Sequence, residues 1–228
     1  MSRLTLVIGN KNYSSWSLRA WLYLTINDIP FDEIRLPLGT TEYQNEISQY
    51  SPTRCVPVLV TNECTVWDSL AIIEYVNRHF PTSVNWPEER HLEALALSAV
   101  MEMHSGFIAI RKHYPMNCRL TPFKAPLLDG AEREIARLDQ LWTDLMDASQ
   151  SKGPGLLGQL TIVDVVFAPV VFRCKTYGFP LSDRSEKYVQ GLLSHPAMIA
   201  WAEAGASEIE NIDDCEFDHI NAPQISDI

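Results

Sequence analysis

The sequence predicts an α/β plus all-α protein, in which a small mixed sheet of order βαβ-ββα precedes an all-helical part. Up to residue 81, short β-rich runs alternate with amphipathic helical runs, whereas from residue 91 onward the helical period dominates. A polar segment with Pro87 separates the two patterns. We therefore expect a first domain over 1–81, a linker over 82–90, a helical domain over 91–215 and a tail over 216–228.

The first part of the chain contains four predicted strands and two predicted helices. LTLVI and FDEIRLPL predict two strands, and VPVLVTNECTVW predicts a hairpin with its turn at 61–63. SWSLRAWLYLTIN and SLAIIEYVNRHF have helical spacing, and Pro81 ends the second of them. Two strands joined by a helix are expected to be parallel and a hairpin antiparallel, which gives one mixed sheet. The link over 43–50 is predicted to be irregular.

The second part of the chain has the apolar spacing of packed helices. Residues 92–110 carry one apolar stripe, and residues 135–146 carry another. The segment 161–178 is apolar nearly all round, which predicts a central buried helix, and TIVD at its start is a capping box. Residues 195–204 predict one more short helix.

Composition and charge exclude several classes of partner. The formal net charge is −11, which argues against nucleic acid and anionic membranes as partners. MSRLTLVIGN resembles a first strand rather than a signal peptide, and no window approaches the roughly 18 apolar residues of a membrane span. We therefore expect a cytoplasmic protein. The five cysteines contain no CxxC pair, which predicts neither a disulfide framework nor a metal site.

NYSSWSLR places Ser14 and Ser15 where the first helix begins. Serines at this position cap helices, and they also donate hydrogen bonds to an anion held near the positive end of the helix dipole. A thiolate is one such anion, because these surroundings lower the pKa of a thiol from about 8.5. The sequence shows no Ser/His/Asp arrangement and no G-x-S-x-G elbow, so a serine here would act as a donor rather than a nucleophile.

Two further motifs have both a structural and a functional interpretation. Pro57 is compatible with an ordinary strand start, or with a cis Val56–Pro57 bond that offers the Val56 backbone to an extended peptide. Asp68 and Ser69 are compatible with helix capping, or with a site at which free amides bind a carboxylate while Asp68 pairs with an ammonium group.

Three polar side chains, those of His104, Arg111 and Arg173, interrupt apolar helical faces. Each is compatible with a surface position or a satisfied polar group in the core, or with the polar lining of a cleft between the domains. Trp16 and Tyr114 are interpreted as packing residues.

Four segments in this order resemble the cytosolic glutathione transferases: NYSSWSLRAWLYL, SPTRCVPVLV, VWDSLAIIEYV and TIVDVVFAP. The resemblance covers nearly the whole chain, and the serine cluster is most similar to the serine-type, zeta-like bacterial members. It implies a thioredoxin-like first domain, an all-helical second domain and a homodimer. It also implies glutathione as co-substrate, no metal, and a small hydrophobic electrophile as the other substrate.

The resemblance also implies roles for individual residues. Ser14 matches the hydroxyl that stabilises the thiolate, with Ser15 as the alternative. The backbone clamp on the glutathione cysteine matches Val56 and Pro57, and the pair that binds the γ-glutamyl end matches Asp68 and Ser69. The electrophile-site candidates are His104, Arg111 and Arg173.

Two positions depart from the family pattern. Trp16 stands where the zeta motif has a cysteine, which argues against a maleylacetoacetate isomerase and against cysteine-based reductase chemistry. Cys55 stands where many members have Lys or Gln, so the bond to the glycine end of glutathione is absent or is supplied by Arg54. We expect Cys55 to be the thiol most prone to form a mixed disulfide.

The expected function is that of a glutathione S-transferase, which adds the glutathione thiolate to a hydrophobic electrophile. A glutathione-dependent isomerase or dehalogenase is an alternative within the enzymes. The alternative from another class is a binding module that keeps the fold without turnover.

Overall fold

The computed structural model describes residues 4–149 and 152–216. Most of the predicted tail over 216–228 therefore lies outside the described residues. The first part of the chain forms β1 (Thr5–Ile8), α1 (Ser15–Ile26), β2 (Asp32–Arg35), α2 (Thr41–Glu46), β3 (Val58–Val60), β4 (Thr65–Trp67) and α3 (Ser69–His79).

The four strands form one mixed sheet of order β2-β1-β3-β4. β1 runs parallel to β2, with Thr5 opposite Asp32, and antiparallel to β3, with Thr5 opposite Val60. β3 pairs antiparallel with β4, so that Val58 lies opposite Trp67. The predicted βαβ-ββα order and the mixed sheet are confirmed.

The second part of the described chain is helical, as predicted. It comprises α4 (Arg90–Ser105), α5 (Ile108–His113), α6 (Ala131–Ala148), α7 (Ile162–Tyr177), α8 (Asp183–Leu193) and α9 (Pro196–Ala206). Every residue of α7 except Lys175 is buried, and α7 packs against α1, α4 and α8. The predicted capping box is present, with Thr161 and Asp164 bonded reciprocally at the start of α7.

The structure differs from the sequence-based expectation at three places. The link over 43–50 contains α2 and a 3₁₀ turn, whereas an irregular segment was predicted. No residue of α2 is buried, so apolar periodicity had no signal to detect there. The single apolar stripe over 92–110 is divided by Gly106 into α4 and α5. The mostly polar helix α8 was not predicted.

No helix in the described part of the chain combines the length and the apolar character needed to cross a membrane.

Candidate functional site

Two adjoining cavities meet at the amino end of α1. The first, here called the arginine cavity, has a volume of about 420 Å³ and is lined by Ser14, Ser15, Trp16, Arg19, Arg111 and Arg173, among others. The second, here called the Ser69 groove, has a volume of about 400 Å³ and is lined by Cys55, Val56, Pro57, Asp68, Ser69 and His104, among others. Both cavities share Trp16, Cys55 and Val56, so a molecule in one can contact a molecule in the other.

Ser14 caps α1 and is bonded within the protein. It is 6% exposed, and its Oγ accepts a hydrogen bond from the Ser17 backbone N–H at 3.3 Å. The Ser14 hydroxyl donates to Ser17 Oγ at 2.7 Å, and Ser17 Oγ also accepts from the Gly9 N–H at 3.0 Å. The serine cluster therefore fixes the start of α1, as capping requires.

Ser15 is contacted from the helical part of the chain. Its Oγ accepts a hydrogen bond from Arg173 Nη2 at 3.0 Å. Arg173 lies on α7, where its other nitrogens donate to the Tyr114 carbonyl at 2.7 Å and the Pro169 carbonyl at 3.0 Å. These two bonds fix the guanidinium, so the third nitrogen is aimed at the first residue of α1.

The arginine cavity is strongly cationic. Burial, together with the nearby charges of Arg111 and Arg173, lowers the pKa of Arg19 to about 9. Burial also lowers the pKa of Arg173 to about 10, and it lowers the pKa of Arg111. Arg19 and Arg173 therefore remain charged at neutral pH. Within the described residues, none of the three arginines forms an ion pair with a carboxylate.

Two of these arginines stack on one aromatic ring. Arg19 Cζ lies 4.5 Å from the centre of the Trp16 ring, and Arg111 Cζ lies 4.9 Å from it. Arg19 Nε donates to the Val166 carbonyl at 2.9 Å, while its Nη1 is buried with no hydrogen-bond partner in the described structure. Arg111 donates to the carbonyls of Met103 and His104. The cavity thus presents three guanidinium groups without a direct ion pair in the described structure, and Asp214 also lines it.

The Ser69 groove combines a backbone turn with a helix start. The Val56–Pro57 bond is cis, which is the second of the two interpretations of that proline. Opposite it, α3 begins at Ser69, and Asp68 Oδ1 accepts the N–H groups of Leu70 and Ala71 at 2.8 and 3.3 Å. The other carboxylate oxygen of Asp68 lies 3.4 Å from His104 Nε2.

The Ser69 hydroxyl is buried and has no hydrogen-bond partner in the described part of the chain. A buried hydroxyl without a partner costs about 1–3 kcal/mol, so such a group favours a ligand that supplies the missing bond. Its place at the amino end of α3 makes that ligand anionic.

The structure brings most of the predicted site residues to these two cavities. Arg111 and Arg173 line the arginine cavity, whereas His104 lines the Ser69 groove instead. Cys55 lines both cavities. Arg54 does not line either of them in the described structure, and its guanidinium donates to the Gln44 carbonyl at 2.9 Å.

Sequence reasoning missed two residues of the site. Arg19 lies on a helix that is otherwise mostly apolar and buried, and that charge was a signal in itself. Trp16 was interpreted as a packing residue, yet it lines both cavities. The described residues include no cluster of ligands suited to a metal ion.

Comparison with known proteins identifies similar sequences and folds. Residues 13–79 match the family described as "Glutathione S-transferase, N-terminal domain". The chain is 46% identical over 61 residues to a dichloromethane dehalogenase of Methylorubrum extorquens, a match that covers 26% of this chain and 21% of that protein. It is 25% identical over 194 residues to a probable maleylacetoacetate isomerase of Vibrio cholerae, covering 78% and 86% of the two chains.

A glutathione transferase homologue from Burkholderia GL BGR1, solved with bound glutathione, superposes with a TM-score of 0.67 at 22% identity. The superposition covers 89% of this chain and 97% of that one. This chain therefore has the glutathione transferase fold, and its segment 13–79 matches the N-terminal domain of that family.

Proposed function

We propose that this chain is a glutathione transferase that binds glutathione in the Ser69 groove and an electrophile in the arginine cavity. The observation that carries the proposal is the junction of the two cavities at the start of α1. A tripeptide lying along the groove reaches this junction with its sulfur, and an electrophile in the other cavity meets the sulfur there.

The groove offers complementary groups to each end of the tripeptide's γ-glutamyl residue. The α-carboxylate accepts a hydrogen bond from the Ser69 hydroxyl, and the positive end of the α3 dipole stabilises its negative charge. The ammonium group lies next to the carboxylate of Asp68. The backbone of Val56, turned at the cis bond, pairs with the cysteine of the tripeptide, in the way an extended peptide adds to a sheet edge.

The thiolate forms when the thiol of bound glutathione loses its proton to solvent. The helix dipole of α1 and a serine hydroxyl then stabilise the anion. Ser14 and Ser15 are the candidates for that hydroxyl, within a serine-type and zeta-like site. The thiolate attacks the electrophile, and the charged arginines stabilise negative charge that develops on it.

The charge of the arginine cavity favours a second candidate function, that of a glutathione-dependent isomerase. Three guanidinium groups without a carboxylate partner in the described structure suit an electrophile that carries a carboxylate. The similarity to a probable maleylacetoacetate isomerase points the same way. In this case glutathione would add to the substrate and leave again, and it would not be consumed.

One experiment separates these functions. The purified protein is first tested for retention on immobilised glutathione and for the ultraviolet absorbance of a bound thiolate. It is then assayed with a neutral halogenated aromatic, a dihalomethane and a cis-enedione carboxylic acid. We expect thiolate formation and turnover of at least one class. Conjugation of the halogenated aromatic releases halide and consumes glutathione, turnover of the dihalomethane releases halide and regenerates glutathione by hydrolysis of the adduct, and isomerisation of the enedione neither releases halide nor consumes glutathione. A protein that binds glutathione without ionising or transferring it would be a binding module, and the proposal would fail.

We also propose that the protein is a cytoplasmic homodimer divided into domains near residues 82–90. Exposed apolar side chains on β4 and α4 support an interface, namely Trp67, Leu97 and Met101. Light scattering of the purified chain is expected to give twice the monomer mass of 25.8 kDa.

A further inference from the structure

The hydroxyl proton of Ser14 is already committed inside the protein. Ser14 donates it to Ser17 Oγ at 2.7 Å, and this oxygen is itself held by the Gly9 N–H. Ser17 is fully buried, so this short chain of bonds is shielded from water. To serve a thiolate, Ser14 would have to give up a buried bond and leave Ser17 Oγ with one partner fewer. Exchanging the bond to Ser17 Oγ for a bond to the thiolate therefore yields little net free energy.

The hydroxyl proton of Ser15, unlike that of Ser14, is not donated to another group in the described structure. Its oxygen accepts from Arg173 Nη2, and no acceptor for its own proton occurs in the described structure. Ser15 is half-buried and lines the arginine cavity, which shares Trp16, Cys55 and Val56 with the Ser69 groove. An oxygen that accepts from a cation is also a stronger donor, because the incoming bond polarises its O–H. Ser15 thus has a free and polarised proton at the junction.

Arg173 is suited to hold Ser15 in this state. Its bonds to the carbonyls of Tyr114 and Pro169 lock the guanidinium, and its position on the fully packed helix α7 leaves it no room to swing away. It has no carboxylate partner in the described residues, so its charge is not cancelled locally. A full positive charge one hydrogen bond behind a hydroxyl favours an anion in front of that hydroxyl.

We propose that Ser15 is the residue whose hydroxyl bonds to the glutathione thiolate, that Arg173 is the positioning residue that orients and polarises this hydroxyl, and that Ser14 has only the structural role of capping α1. This inference rests on the proposed function, and it deepens it by assigning the residues that ionise the thiol. The helical part of the chain thereby takes part in activating glutathione, besides holding the electrophile. On binding, the thiol proton passes to solvent, the thiolate accepts a hydrogen bond from the Ser15 hydroxyl, and no other covalent bond changes.

The experiment compares Ser14→Ala and Ser15→Ala in the full-length protein. The pKa of bound glutathione is measured from thiolate absorbance over pH, and the binding of S-methylglutathione, which has no thiol, reports on the site itself. We expect S15A to reduce the thiolate fraction at neutral pH by about tenfold to a hundredfold, since a bond to a charged group is lost. We expect S14A to lower the melting temperature and to leave the acid dissociation constant of the bound thiol within about threefold of the wild-type value.

The role of Arg173 is tested by double-mutant cycles that combine Arg173→Met with each serine variant. Arg173→Lys tests whether a positive charge alone is enough to restore the thiolate fraction. We expect R173M to reduce the thiolate fraction about tenfold in the wild type and in S14A, and by less than about threefold in S15A, because the shared bond is already gone there. R173K should restore part of the loss. If R173M does not fold, the same cycle is run with R173K.

Three results would count against the assignment or its basis. If S14A shifts the thiol pKa and S15A does not, the assignment is wrong while the proposed function stands. If R173M acts equally in both serine backgrounds, Arg173 has no coupling to Ser15 and its positioning role is wrong. If the wild-type protein binds neither glutathione nor S-methylglutathione, the proposed function itself fails, and the inference fails with it.

Discussion

The guanidinium carbon of Arg19 lies 4.5 Å from the centre of the Trp16 ring, so a buried cation stacks on the aromatic residue that lines both cavities. Arg111 stacks on the same ring at 4.9 Å, and the His104 ring meets it edge-on with centroids 5.3 Å apart. The ring therefore links α1 to α4 and α5, and it lies between the arginine cavity and the Ser69 groove, both of which it lines.

Replacing Trp16 by Leu is expected to destabilise the protein and to weaken both substrate sites. The ring contributes about 0.5–2 kcal/mol for each stacked cation, so W16L should lower the free energy of unfolding by about 1–4 kcal/mol. Trp16→Phe is the matched control, because it keeps an aromatic face and should lose less than half as much. Urea denaturation measures both variants. Equal stabilities for W16L and W16F would show that the stacking is not stabilising.

Replacing Ser69 by Ala is expected to weaken glutathione binding without lowering the stability of the protein. The Ser69 hydroxyl is buried without a partner in the described structure, so S69A should leave the free energy of unfolding unchanged or raise it slightly. In the proposed glutathione complex the same hydroxyl donates to a carboxylate, so S69A should raise the Kd for glutathione by about tenfold. Calorimetric titration and urea denaturation provide the two numbers.

The control for Ser69 is Ser98→Ala. The Ser98 hydroxyl is exposed on α4 and bonds only to the Ala94 carbonyl, so S98A should change neither quantity. A wild-type Kd for S69A would remove Ser69 from the glutathione site.

His195 is expected to make stability depend on pH. It caps α9 with Nδ1, which accepts the Ala197 N–H at 3.2 Å and must be unprotonated to do so. Burial lowers the pKa of His195 below its usual 6.5. The unfolded chain therefore binds the proton more readily than the folded one. The stability due to this neutral cap is present above pH 6.5 and is lost as the pH falls through the lowered folded pKa.

The matched variant is His195→Asn, whose side chain also caps a helix but does not titrate. Urea denaturation at pH 8 and at pH 5 is expected to show a larger loss at pH 5 for the wild type than for H195N. If the two proteins lose stability in parallel, His195 is not the titrating group.

The sheet and the buried helices were predictable because their sequences carry strong periodicity. α7 is apolar on all sides and α3 has a clear amphipathic stripe, and both were predicted within a few residues. α2 has no buried residue, so no apolar stripe marks it in the sequence. α8 does bury Tyr188, Val189 and Leu192 at helical spacing, but these three are set among polar residues and were overlooked. Thr40 accepts the Tyr43 N–H at 3.1 Å to start α2, and no periodic pattern reveals such a bond.

The site was predictable in its composition but not in its connections. The serines, Pro57 and the Asp68–Ser69 pair are local motifs, so a short stretch of sequence locates them. The cis state of the Val56–Pro57 bond was one of two interpretations, and the structure decides it. The bond from Arg173 to Ser15 joins positions 158 residues apart, and the stacking of Arg111 on Trp16 likewise depends on how the helices pack. Such contacts depend on the tertiary structure, and local motifs in a single sequence do not predict them.

Gly205 on α9 is expected to control the position of the loop that leads into α1. A Cβ at this residue would lie 3.0 Å from the Asn12 nitrogen and 3.1 Å from the Lys11 carbonyl carbon, and backbone atoms do not give way as a flexible side chain does. The same loop is held from the other side by the Glu208 carboxylate, which accepts the Lys11 N–H at 2.8 Å and the Asn12 N–H at 3.0 Å.

Gly205→Ala should therefore cost about 1–3 kcal/mol of unfolding free energy through overpacking, and it should also raise the pKa of bound glutathione by displacing the start of α1. Gly191→Ala on α8 is the matched control, because nothing lies within 4 Å of its added Cβ. G191A removes the conformational entropy of glycine from a helix and should stabilise by about 0.5–1 kcal/mol. Urea denaturation and thiolate titration test both variants. A G205A protein as stable as the wild type would mean that the loop yields freely, and the serines would then owe their placement to other contacts.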